Sequence, residues 1–416
     1  MARDRPRRAG RRRAWLVGLA AVVGPGMLAG LSDDDPAGIT TYSILGADYG
    51  YTLLWVLVLS TAALILFHQL GARMGIVTGQ GLIGLVRDRY GLRRAAAATA
   101  VLVIANVGTM CAEFAGIAAA LELAGVSRYF SVPAAAIGVS ALVLRGGFRR
   151  VEHVLLALSA VFVSYVIAGF LAGPDWGAAL RGAVVPSLPL TRDALLAVTA
   201  TVGTTLAPWG LAFIQSFAVD KRLTVRDLRF ERIDVAAGAI LTGVIGAFVV
   251  VACAATLHAS GRSIDDARDA AVALEPLAGS LAATLFGAGL LGAGLLAASV
   301  LPLSTAYSVG ELFGREAAVD DPFREAPLFY GTFGLVVAVA AGFVLIPGMP
   351  LVPVLFLSQA LNAILLIPLL WAVYGAARDP ETMGAHVLGR RGAIATLATI
   401  WLVTASVVAL GVLALA

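Results

Sequence analysis

"LSDDDPAGIT", residues 31–40, is the stretch on which the fold turns. Three aspartates, Asp33, Asp34 and Asp35, close an apolar run that begins at Trp15, and Pro36 and Gly38 follow them. An aspartate at mid-bilayer costs roughly 2.5–3.5 kcal/mol on insertion scales, so three in succession do not face lipid. Successive helical residues point about 100° apart, so a regular helix cannot aim all three at one site. Proline removes a backbone donor and clashes with the preceding turn, while glycine tolerates the irregular backbone that follows. The stretch therefore reads as a broken membrane helix, its exposed backbone buried in protein or lining a cavity.

The surrounding chain is that of a membrane protein. Of 416 residues, 59% are apolar and 13% charged, about half the charge of ordinary soluble domains. Apolar stretches of 18 or more residues recur throughout, which predicts an all-α polytopic protein and not a transmembrane barrel. Hydropathy and Gly, Pro and charge punctuation predict eleven spans, at 14–47, 50–71, 95–121, 129–147, 151–173, 193–219, 233–257, 278–312, 327–347, 350–376 and 392–415. The basic start "MARDRPRRAGRRR", residues 1–13, reads as a cytoplasmic segment before an uncleaved first span.

With the amino terminus inside, 25 of the 30 Lys and Arg fall in cytoplasmic segments, and Arg128, Arg181, Arg192, Arg262 and Arg268 lie outside. That asymmetry supports the span count and puts the carboxyl terminus outside a bacterial-type plasma membrane. It also accounts for the net charge of +4 without a nucleic-acid partner. The expected partners are the lipid bilayer and the substrate, with no obligate protein partner and no cofactor. Cys111 and Cys253 sit inside apolar runs and read as small buried hydrophobes.

A second break is expected in the sixth span, where "TTLAPWGLAFIQS", residues 204–216, carries Ala207-Pro208-Trp209-Gly210 in mid-run. Breaks five helices apart are the spacing of two inverted five-helix repeats, here 14–173 and 193–376, with 392–415 as an additional helix. Peptide oxygens at the broken ends, joined by a carboxylate, make a site for a cation. Ser32 and Ala207 stand at those ends and offer backbone carbonyls.

These residues resemble the Nramp family of divalent-metal transporters along nearly the whole chain. The likeness is carried by residues 24–55, by "HQLGARMGIVTGQGL" at 68–82, by "RGGFRRVEHVLL" at 145–156 and by "GPDW" at 173–176. "FERID" at 230–234 and "LSQALN" at 357–362 add to it. The resemblance implies a LeuT-like 5+5 inverted repeat plus an eleventh helix, with helices 1 and 6 discontinuous. It places the family's metal-binding aspartate on Asp35 and a contributing glutamine on Gln359. Asn362 lies three residues later on the same face.

Several family positions differ. The asparagine three residues after the aspartate is Gly38, and Met-Pro-His in the sixth span is Ala207-Pro208-Trp209. A further family histidine is matched by Gln215, and an Asp-x-x-Glu pair in the third span becomes Met110 and Glu113. These changes resemble the Nramp-related magnesium transporters. Mg²⁺ wants oxygen ligands and keeps several waters, whereas a thioether favours softer ions. A larger, wetter site is therefore expected beside Gly38 and Ala207, with Gln359, Asn362 and Gln215 orienting waters or packing.

Of the remaining aspartates, Asp34 or Asp33 either strengthens the field of the site or sits at a hydrated helix end. Glu113 reads as a structural or weakly functional acid, and His68, near the expected end of the second span, as interfacial. "GAGLLGAGLLAAS", residues 287–299, reads as a helix-packing surface. The expected function is import of Mg²⁺, and of Mn²⁺ beside it, by alternating access without proton coupling. The alternatives are a proton-coupled Mn²⁺/Fe²⁺ importer and an amino-acid carrier of the same fold, the latter opposed by the three aspartates. No nucleophile–base pair or phosphate loop supports an enzyme.

Overall fold

The computed structural model describes residues 25–144, 163–265, 267–315 and 321–415. The basic segment 1–13, the start of the first span and most of the fifth lie outside the described residues. The described residues form helices and turns with no strand. Eight stretches among them are long and apolar enough to cross a membrane.

The first span is broken as expected. Helix α1 (Pro25–Ser32) stops, Asp33 to Asp35 are non-helical, and α2 (Pro36–Tyr49) begins on the proline. Asp35 caps α2: its Oδ1 accepts from the Gly38 amide at 2.5 Å, taking one of the donors a helix start leaves unpaired. The sixth span divides in the same way, into α9 (Arg192–Thr205) and α10 (Pro208–Asp220), with Leu206 and Ala207 between. Both second halves start on proline, which tolerates the first helical position because no N–H hydrogen bond is needed there.

Other spans follow the expected limits closely: α5 (Leu92–Leu123), α6 (Arg128–Leu144), α11 (Leu228–Thr256), α12 (Ala282–Leu312), α13 (Pro327–Val344), α14 (Leu351–Ala377) and α15 (Arg390–Leu415). The second span does not. Helix α3 runs Leu54–Thr78, seven residues past the expected end at Gly71, and closes on Gly79 in the left-handed region at φ +67°. "HQLGAR" lowers hydropathy there, yet His68, Gly71 and Ala72 are buried against other helices. Two short helices fall in expected loops. Leu82–Tyr90, called α4 here, follows α3, and Trp176–Val184 is capped by Asp175 of "GPDW", whose carboxylate accepts from the Ala178 amide at 2.9 Å.

Burial sorts the helices. In the broken sixth span 94% of the apolar window is buried inside the protein, against 22% in the last helix. The discontinuous helix is thus the centre and α15 the lipid-facing edge. Helix α1 packs on α10 and α2 on α9, and α11 runs alongside both halves of the first span. Gly116 of α5 and Gly294 of α12 meet the ring of Pro36, so the small-residue run of the eighth span is a packing surface that seats the break.

Candidate functional site

The two breaks adjoin, and four helix ends meet around them. The carboxyl ends of α1 and α9 bring carbonyls without helical partners, and such ends carry partial negative charge. Ser32 is the last residue of α1, and its hydroxyl has no hydrogen-bond partner. The Ala207 carbonyl accepts from the Gly210 amide at 3.1 Å, which leaves its second lone pair.

All three aspartates are buried, Asp33 and Asp34 at 1% exposure and Asp35 at 3%. The reading of Asp33 or Asp34 as a hydrated helix end is therefore corrected: protein closes over both. They diverge as their succession requires. Asp35 turns to Gly38 and to Glu113 of α5, whose side chain it meets. Asp34 lies beside the Thr242 hydroxyl of α11, which donates to the Gly30 carbonyl. Asp33 points toward α10. Neither oxygen of Asp33 or of Asp34 has a hydrogen-bond partner. Among the described residues no three His, Cys, Asp or Glu side chains converge as a metal cage.

Glu113 stands nearer the break than its expected role requires. It is fully buried and in contact with Asp35, and two carboxylates so placed hold together only with a proton or a cation between them. The signal was readable: Asn106, Thr109 and Glu113 are spaced as one helical stripe, and all three are buried.

The room expected beside Gly38 is absent. A Cβ there would lie 2.7 Å from the Asp33 carbonyl oxygen, 3.1 Å from Asp35 Oδ1 and 3.2 Å from Thr204 Oγ1. Glycine at this position permits close approach of three oxygens and does not open a space. Trp209, fully buried, lies near Phe213 at 6.2 Å between ring centroids, and its carbonyl accepts from Ser304 at 2.9 Å.

The other sequence-derived residues have partners or surroundings of their own. Asn362 donates to Gln359 Oε1 at 2.9 Å and to Thr109 Oγ1 at 2.8 Å, while Gln359 donates to Ser358. Both amides are thus engaged in an α14–α5 network. Gln215, about 10 Å along α10 from Pro208 at 1.5 Å per residue, donates to the Gln80 carbonyl at 3.0 Å. His68 is 1% exposed, not interfacial, and lies ten residues inside α3. The sequence reading misplaced it because the helix end was set too early.

Comparison with known proteins agrees with this architecture. The sequence profile of the natural resistance-associated macrophage protein-like family matches residues 26–413. A divalent metal cation transporter MntH of Granulibacter bethesdensis is 32% identical over 289 residues, which cover 67% of this chain and 65% of that protein. The MntH of Bacillus subtilis is 29% identical over 283 residues, 65% of this chain and 66% of that one. The chain thus spans about two thirds of the length of the curated relatives it matches. Among solved structures, a manganese transporter of Eremococcus coleocola superposes with a TM-score of 0.75 at 20% identity, covering 95% of this chain and 87% of that chain. A nucleobase-cation-symport-1 transporter gives a TM-score of 0.57 at 16% identity, with 92% of each chain covered. The inverted-repeat fold with discontinuous first and sixth helices is shared with these structures, and by its sequence the chain belongs to the Nramp family.

Proposed function

We propose that the protein is a secondary transporter that imports divalent cations by alternating access, with Mg²⁺ as its main substrate and Mn²⁺ as a second. The observation that carries this is a buried run of aspartates at the break of the first span, which meets the end of α9 where Asp35 and Thr204 both stand against Gly38. Asp35 is the proposed charged ligand, and the Ser32 and Ala207 carbonyls complete the oxygen set. Gly38 holds the Asp35 carboxylate through its amide, and Asp34 adds negative charge. Gln359, Asn362 and Gln215 belong to the walls of the site, where they orient the ion's waters or pack through their networks. Preference for Mg²⁺ is supported by oxygen donors and by alanine at the position of the family's thioether.

The proposed orientation has the amino terminus and the Arg-rich loops on the cytoplasmic side of a bacterial-type plasma membrane. A potential of 100 mV then favours inward movement of two charges by about 4.6 kcal/mol, which requires no proton. The Asp35–Glu113 contact favours a second reading, proton-coupled import of Mn²⁺ or Fe²⁺, because a carboxyl pair that loses its proton as a cation enters is a coupling device.

The experiment is ion uptake into proteoliposomes with a pH-sensitive dye inside. Wild type is expected to take up Mg²⁺ and Mn²⁺ without acidification, and Asp35→Ala to take up neither while remaining folded. Unchanged uptake in Asp35→Ala refutes the site; acidification that tracks Mn²⁺ uptake and disappears in Glu113→Gln, with little uptake of Mg²⁺, establishes the second reading.

A further inference from the structure

We propose that Asp33 and His68 form a second position for the transported cation, next to Asp35 on the α10 side of the break, and that it takes Mn²⁺ in preference to Mg²⁺. This rests on the reading of Asp35 as the first ligand and assigns a role to the two polar side chains that reading leaves unused.

Three elements converge there. Gly210 is the third residue of α10, and a Cβ on it would lie 3.0 Å from His68 Nε2 and 3.9 Å from Asp33 Oδ1. With hydrogen in place of a side chain, Gly210 lets an imidazole from α3 and a carboxylate from the first break approach one point. Asp33 and His68 are each 1% exposed, and Asp33 has no hydrogen-bond partner on either oxygen. Among the described residues the two form neither an ion pair nor a hydrogen bond with each other. A buried carboxylate with no donor is sustained by a cation, and an adjacent imidazole supplies a nitrogen ligand to the same ion.

The nitrogen decides the selectivity. Imidazole suits first-row transition dications, while Mg²⁺ binds oxygen and releases water reluctantly. Trp209 fills the position where the resemblance places a histidine, with its ring near Phe213. His68, from α3, brings an imidazole to the neighbouring residue of the same half-helix, Gly210. Mn²⁺ leaving Asp35 would then exchange oxygens for a nitrogen, whereas Mg²⁺ would pass with its waters.

The test is uptake of Mn²⁺ and Mg²⁺ in proteoliposomes by wild type, His68→Gln, Asp33→Asn and Gly210→Ala, with Asp35→Ala as reference. Loss of the nitrogen ligand in His68→Gln is expected to raise the KM for Mn²⁺ roughly tenfold and leave that for Mg²⁺ within about twofold. Gly210→Ala, which places a methyl group against Nε2, is expected to do the same. Mg²⁺ uptake in each variant reports folding. Equal losses for both ions in His68→Gln indicate a structural histidine and overturn the proposal, as does an unchanged KM for Mn²⁺. Wild-type uptake that Mn²⁺ neither enters nor blocks also overturns it. Unchanged uptake of both ions in Asp35→Ala marks failure of the first reading, whatever His68→Gln does.

Discussion

Glu311 and Asp33 are both carboxylates that the fold removes from water, and their surroundings are opposite. Glu311, at the end of α12, is 7% exposed, and its oxygens take three donors. The Ile83 and Gly84 amides reach Oε2 at 2.9 and 3.2 Å, and the Ser216 hydroxyl reaches Oε1 at 2.6 Å. It thereby closes the N-terminus of α4 and ties it to α10. Asp33, Asp34 and Glu113 are buried as deeply or more so and have no hydrogen-bond partner among backbone amides, hydroxyls or guanidinium groups. A carboxylate surrounded by donors is part of the framework; carboxylates without donors, gathered at a helix break, await a positive charge from elsewhere. On the proposed function, the difference separates an acid of the framework from acids placed to meet the cation.

The comparison breaks most visibly at Glu311. Glu311→Ala leaves two buried amides and a hydroxyl without an acceptor, at about 1–3 kcal/mol each, so a loss of several kcal/mol of stability is expected. Thermal unfolding of the purified protein in detergent checks this, and an unchanged midpoint would mean that α4 finds another acceptor.

Asp34→Asn sharpens the other half. Removal of an unpaired buried charge is expected to keep cation-free stability within about 1 kcal/mol of wild type or to raise it. Stabilisation by saturating Mg²⁺, about 2.7 kcal/mol at a hundredfold excess over Kd, is expected to shrink. The same thermal assay with and without Mg²⁺ reads both. If Asp34→Asn destabilises the cation-free protein as Glu311→Ala does, the distinction collapses.

The smallest effect is expected on the surface. Arg89 pairs with Asp379, where the side chains are 29% and 16% exposed. Arg89→Ala is expected to change stability by less than about 1 kcal/mol and leave uptake unaltered.

Much of this was legible in the sequence for local reasons. Pro36 and Pro208 placed both breaks because a proline's effect on its own helix needs no knowledge of neighbours. Asp35 was singled out by the resemblance alone; its place ahead of a helix-starting proline accounts for the cap it forms on α2. What failed depended on long-range packing. The end of α3 was misplaced because His68 and Gly71 read as a polar run, although other helices bury them. Gly38 read as room, although Thr204, distant in sequence, stands against it. Glu311 drew no attention, because its donors come from residues more than two hundred positions away in α4 and from α10. Glu113 alone reads as structural or weakly functional because Met110 replaces its expected acidic neighbour, whereas the structure shows it on one buried α5 stripe with Asn106 and Thr109.

The most direct test of the central claim is anomalous diffraction from crystals equilibrated with Mn²⁺ as the probe ion. The account expects a peak within coordination distance of the Asp35 carboxylate, between the carbonyls of Ser32 and Ala207, that vanishes in Asp35→Ala. Absence of density there at saturating Mn²⁺, or density confined to exposed acids such as Asp379 and Glu381, would contradict it.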